Sequence, residues 1–69
     1  MNTQEINYTH RIYGKHKTDK QFKAMNMREG RQVGNLIYAS MYTEEDAQKV
    51  LKDIQCEENS DWEFKAVKI

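Results

Sequence analysis

The chain has no proline, one cysteine and three glycines among its 69 residues, and its 11 basic and 11 acidic side chains leave no formal net charge. Each shortage excludes something. Without proline, the turns fall to Gly, Asn, Asp and Lys. A single thiol, Cys56, excludes an intrachain disulfide and matches a reducing compartment. No run approaches the roughly 18 apolar residues of a membrane-crossing helix. Residues 1–20 are polar, with no apolar core of a secretion signal. A cytoplasmic location without membrane contact is therefore expected, and Asn7-Tyr8-Thr9 is a chance match to the glycosylation triplet.

The chemistry-bearing residues are equally sparse. Gly14, Gly30 and Gly34 form neither a Walker loop nor a dinucleotide fingerprint. His10, His16 and Cys56 lack any metal-ligand spacing, so no metal and no cofactor are expected. A nucleophilic trio of Cys56, His10 and Asp61 has little behind it. Glu57 and Glu58 beside Cys56 are the opposite of the electropositive surroundings that activate a thiol. Glu44, Glu45 and Asp46 are explained by a helix start. These readings point away from an enzyme.

What is present speaks for one small folded domain over residues 1–69, with residues 1–5 expected as a flexible N-terminus. The charged fraction is 32% and mean hydropathy −1.02, yet the chain holds four Tyr, two Phe and one Trp in periodic patterns. A chain near this length buries only about 60% of its unfolded surface, so the core will be thin.

Ile6, Tyr8, His10 and Ile12 share one phase of a period of two, which predicts a first strand over 6–13, ended by Gly14. A polar loop follows. Residues 21–27 alternate again, with Phe22, Ala24 and Asn26 on one face and Lys23, Met25 and Met27 on the other. Glu29-Gly30 supplies a turn, with Gly30 free to take a positive φ. Residues 32–42 read as a third and most hydrophobic strand, since Leu36, Ile37 and Tyr38 are consecutive and Gly34 marks a bulge.

Thr43 then predicts a helix N-cap with Asp46 at N3. Ala47, Val50, Leu51 and Ile54 fall at i, i+3, i+4 and i+7, one apolar stripe. Asn59 is positioned to close the helix in a left-handed conformation. Residues 62–69 form the last strand. The order β-β-β-α-β implies a two-layer α+β domain, one helix on a mostly antiparallel four-stranded sheet. The helix stripe would meet Ile37, Phe22, Trp62 and Phe64. A right-handed crossover from the third strand would run the last strand parallel to the first, beside its free edge.

The zero net charge hides an asymmetry. Residues 1–34 hold seven Lys/Arg against three acids, and residues 35–69 hold four Lys against eight acids. Arg11, Lys15, Lys17, Lys20, Lys23, Arg28 and Arg31, interleaved with Tyr13 and Phe22, are candidate phosphate contacts for a nucleic acid. No RNP-type, helix-turn-helix or zinc-finger pattern accompanies them. Met25, Met27, Tyr38 and Tyr42 are candidates for a protein interface on the sheet face away from the helix, because Met and Tyr are enriched at interfaces. The long third strand would offer an edge for a homodimer. The reading favoured is a non-enzymatic binding module for a protein partner or for itself, with nucleic-acid binding as the alternative.

The segments Ile12-Tyr13-Gly14-Lys15-His16-Lys17, Phe22-Lys23-Ala24-Met25-Asn26-Met27 and Gln32-Val33-Gly34-Asn35-Leu36-Ile37-Tyr38-Ala39-Ser40, followed by a Thr-Glu-Glu helix start and a Trp-x-Phe-Lys end, resemble a family of short uncharacterised proteins. That family belongs to phages, plasmids and other mobile elements of Gram-positive bacteria. The resemblance implies a bacterial cytoplasm and an accessory role in an element's life cycle. It carries no motif of known chemistry and assigns no site residue.

Overall fold

The computed structural model describes residues 8–69. The predicted start of the first strand at Ile6 and the expected flexible segment 1–5 lie outside them. Five strands, β1 (His10–His16), β2 (Lys23–Asn26), β3 (Arg31–Gln32), β4 (Met41–Tyr42) and β5 (Trp62–Lys68), form the sheet, and one helix, α1 (Glu44–Ile54), packs on it. The architecture is a small α+β fold with a curled antiparallel sheet.

β1 is the spine. β5 lies along its whole length, with His10 opposite Lys68 and His16 opposite Trp62. On the other edge β4 covers His10 and Arg11, and β2 covers Tyr13 and Gly14. Every one of these pairings is antiparallel. The strand does not end at Gly14 but runs through it. This glycine is required for close approach and not for a turn: a Cβ there would lie 2.8 Å from Met25 Sδ and 3.0 Å from Phe64 Cε1. Gly30 does take the positive φ a turn demands, at +67°. Its N–H donates to Asn26 O (2.8 Å), while Glu29 N–H donates to Asn26 Oδ1 (2.9 Å).

The third predicted strand is not one strand. Gly34-Asn35 breaks it, and residues 36–38 form a single 3-10 turn between β3 and β4. Asn35 Oδ1 accepts from Ile37 N–H (3.1 Å), and the carbonyls of Asn35 and Leu36 accept from Tyr38 and Ala39. A short polar side chain bonding to its own backbone competes with a ladder, which is why Asn is poor inside strands. The turn reverses the chain, so β4 runs opposite to β1. β5, one helix later, runs as β4 does. The last strand therefore does pair with β1, but antiparallel and not parallel, because the crossover starts from β4 and not from a strand aligned with β1.

The helix obeys its local signals. Thr43 Oγ1 accepts from Asp46 N–H at 3.2 Å, and Glu44, Glu45 and Asp46 fill the first turn. Ala47 is fully buried, and Val50, Leu51 and Ile54 pack beside it against Ile12 and Met25 with Trp62, Phe64 and Ala66. The C-terminus closes differently from the expected left-handed cap. No non-glycine residue described has a positive φ; Asn59 instead donates from Nδ2 to Ile54 O at 2.9 Å. On the far side of the sheet Ala24, Val33 and Ala39 form a second, smaller apolar cluster with Tyr13. Of the residues expected beneath the helix, Trp62 and Phe64 are there. Ile37 is 77% exposed, and Phe22, just before β2, is outside the cluster under the helix, its ring against Lys65 at the border of a hollow shared with Gln55, Trp62 and Phe64.

Candidate functional site

Period-two alternation assigns the helix-free face. Arg11, Tyr13 and Lys15 of β1, Glu63, Lys65 and Val67 of β5, and Met41 opposite Arg11 share it. The segment 34–38 springs from this face, since its flanks Val33 and Ala39 are buried there with Ala24. The result is a run of exposed apolar side chains on one stretch of chain: Leu36 at 45%, Ile37 at 77%, Tyr38 at 57% and Met41 at 42%. Hydrophobic side chains exposed together on a domain with so thin a core mark a contact surface more readily than scattered single ones.

An open groove of about 620 Å³ adjoins the run. Met27 and Arg28, at the end of β2, form one wall; Tyr38, Met41 and Tyr42 form the other. Ser40 ties the walls together: its N–H donates to Met25 O (3.0 Å), and its Oγ accepts from Met27 N–H (2.9 Å). Arg28 is exposed and is in no ion pair among the described residues.

The four residues predicted for a protein interface divide. Met27, Tyr38 and Tyr42 meet in this groove. Met25 does not: it is buried at 3% beside Ile12 and Ala47. Nor do these four residues share the helix-free face as expected. Met25, Met27 and Tyr42 all pack against the core under the helix, and of the four only Tyr38 is largely exposed. Residues 21–27 do alternate, but the helix covers the methionine phase, because Gly14 opens space for Met25 on that side. Leu36, Ile37 and Met41, not among those four, are the other large apolar side chains exposed beside Tyr38. Gly34-Asn35 was the signal that their segment leaves the sheet.

The seven basic residues do not form one surface. Lys17 Nζ lies 3.3 Å from Asp61 Oδ1, and Arg31 pairs with Glu29. Lys23 stands opposite Gly14, in the helix-side phase. Lys20 is exposed in the loop after β1, and Arg28 lines the groove. Only Arg11 and Lys15 share the helix-free face, where Lys65 joins them. There the Phe22 ring lies under the ammonium of Lys65, 4.3 Å from its centroid, with Lys15 Nζ at 6.0 Å. Arg11 Nε is buried and has no partner among the described residues.

The β1–β2 loop is pinned by Asp19. Its Oδ2 accepts from His16 N–H (3.0 Å) and from Gln32 Nε2 (2.9 Å). The backbone bond from His16, then the Gln32 amide, hold the carboxyl below its ordinary value of 3.8, with smaller help from Lys23 and His16. Cys56 is exposed and borders a second hollow of about 440 Å³ with Gln55, Asn59, Ser60 and Trp62. Asp61 is engaged with Lys17, and His10 Nδ1 with Thr9 Oγ1 at 2.7 Å. Among the described residues no three His, Cys, Asp or Glu side chains gather as a metal site, and no helix is long and apolar enough to cross a membrane.

No protein-family model matches the chain, and comparison with curated proteins and with solved structures finds no match either.

Proposed function

We propose that the protein is a non-enzymatic interaction module that docks a partner protein through the turn Leu36–Tyr38 and the adjoining groove. The observation that carries this reading is Ile37, 77% exposed at the tip of a turn that also presents Leu36 and Tyr38. Aromatic and apolar side chains of this kind anchor interfaces when a partner supplies the pocket. Arg28 in the groove wall adds a cation with no ion-pair partner among the described residues. The partner that fits is a protein with an apolar cleft rimmed by carboxylates. An accessory role in a bacterial mobile element, in the cytoplasm, is part of the proposal and rests on the family resemblance alone.

A photo-crosslinking amino acid placed at Ile37 tests this in the cells that make the protein, with the same group at Gln48 on the exposed side of α1 as control. The expected result is a discrete adduct from position 37, absent from position 48 and lost with Leu36→Ser/Tyr38→Ser. Equal labelling from both positions, or none from 37, overturns the reading.

Nucleic-acid binding has one observation in its favour, the ring of Phe22 between Lys15 and Lys65. It is the weaker reading, because Lys65 already covers that ring and Lys17 and Arg31 are engaged by carboxylates. Titration of labelled DNA and RNA at about 50 mM and about 200 mM salt distinguishes them, since phosphate contacts weaken steeply over that range.

A further inference from the structure

β5 has one paired edge and one open edge among the described residues, and its main-chain phase can be read. Ile69 N–H donates to Thr9 O (2.7 Å) and Lys17 N–H to Asp61 O (2.8 Å). In an antiparallel ladder, alternate residues turn their N–H and C=O to alternate edges. The odd-numbered residues of β5 therefore bond to β1. Trp62, Phe64, Ala66 and Lys68 aim theirs outward. Only Phe64 O is engaged there among the described residues, by Gln55 Nε2 at the limiting distance of 3.5 Å. Edges are ordinarily blunted by proline, a bulge, a covering element or charged side chains. This strand has no proline, and of its three charged residues the two that flank Phe64, Glu63 and Lys65, are of opposite sign.

We infer that this edge pairs with the same edge of a second copy of the chain, antiparallel about a two-fold axis at Phe64. The order Glu63-Phe64-Lys65 is what commits the occupant. With Phe64 opposite Phe64, each Glu63 lies opposite the partner's Lys65, twice by symmetry. Those are the pairs without main-chain bonds, where side chains approach most closely. Trp62 and Ala66 then pair through their outward main-chain groups. Moving the axis one residue toward the C-terminus sets Lys65 against Lys65. Moving it one residue toward the N-terminus sets Glu63 against Glu63. Like charges directly opposite destabilise both of these single-step shifts. Neither Glu63 nor Lys65 is in an ion pair among the described residues. A contact of this kind is isologous and closes as a dimer, and the zero net charge opposes it with no long-range repulsion. Two adjustments are needed: Gln55 releases Phe64 O, and Lys65 swings from Phe22 to the seam.

The third strand, expected to offer the dimer edge, is thereby replaced in that role by β5. The contact is separate from the turn at Ile37.

Sedimentation equilibrium across a concentration series tests the inference on the whole chain. The wild type should show a monomer–dimer equilibrium. Glu63→Lys alone and Lys65→Glu alone should each weaken it about tenfold or more, since both symmetry-related pairs become repulsive. An equimolar mixture of the two variants should recover the dimer. One variant is then basic at both positions 63 and 65, the other acidic at both, and each cross-strand pair joins opposite charges. That recovery also shows that neither variant was monomeric through misfolding. Ile37→Asp should leave the dimer unchanged. A wild type that stays monomeric up to about 1 mM, a dimer that either single variant leaves intact, or variants that stay apart on mixing overturns the proposal.

Discussion

Met25 packs its thioether against the bare backbone of Gly14: the sulfur stands 2.8 Å from where a Cβ on that glycine would be. The pair explains two features of the fold. β1 passes through Gly14 without turning, and Met25 is drawn into the core under α1 and away from the surface.

Gly14→Ala should destabilise the protein by about 1–3 kcal/mol, the usual cost of overpacking. Met25→Ala should cost about 2–5 kcal/mol through the cavity it leaves. Because the two share the same space, the double variant should lose less than the sum. Urea unfolding of the three variants checks this, and strict additivity would contradict the contact.

The two isoleucines on either side of the sheet should respond oppositely to truncation. Ile12 is fully buried and Ile37 is 77% exposed. Ile12→Ala should cost about 2–5 kcal/mol. Ile37→Ala should stay within about 0.5 kcal/mol. Thermal melts of both variants decide it; a large loss at Ile37 would mean the turn is held by core packing.

Thr43→Ala should remove about 1 kcal/mol by freeing the Asp46 N–H at the helix start. Thr43→Ser keeps the acceptor and should be close to wild type. The comparison is made by urea titration at neutral pH.

Asp19 should give the protein an acid-sensitive component. Its carboxyl is held below 3.8 by the His16 backbone N–H and then the Gln32 amide. The folded state therefore binds the proton less readily than the unfolded one. The stabilisation is whole above about pH 4 and is lost as pH falls through the lowered value. The gap in unfolding free energy between the wild type and Asp19→Asn should be open at about pH 7 and shrink toward about pH 2. A gap independent of pH would remove Asp19 from that role.

The helix and its stripe were legible in the sequence because their causes are local. Thr43 reaches a backbone N–H three residues on, and Ala47, Val50, Leu51 and Ile54 line up by the helical repeat alone. The turn at Gly30 was legible for the same reason. Residues 36–38 were misread because three consecutive apolar residues fit a buried strand as well as an exposed turn. The deciding group was the Asn35 side chain, whose bond to Ile37 N–H outweighs a ladder position. Among the interface candidates, Met27, Tyr38 and Tyr42 meet in one groove, but through a chain reversal that composition does not reveal.

By itself, then, the sequence determined the α+β class, the helix with its N-cap, and the two apolar phases of the strands. Those follow from repeats and hydrogen bonds within a few residues of each other. Tertiary structure decided which phase the helix covers, because that depends on the space Gly14 leaves for Met25. It decided that β5 runs antiparallel to β1, because the direction was set by the reversal at residues 34–38. It decided where the basic residues went, because Lys17 found Asp61 only when β5 came alongside β1. The contacts of Met25 with Gly14 and of Lys17 with Asp61 join residues far apart in the chain, and no local pattern records them; the reversal is made by a local bond from Ile37 to Asn35, but its effect on β5 appears only after the helix.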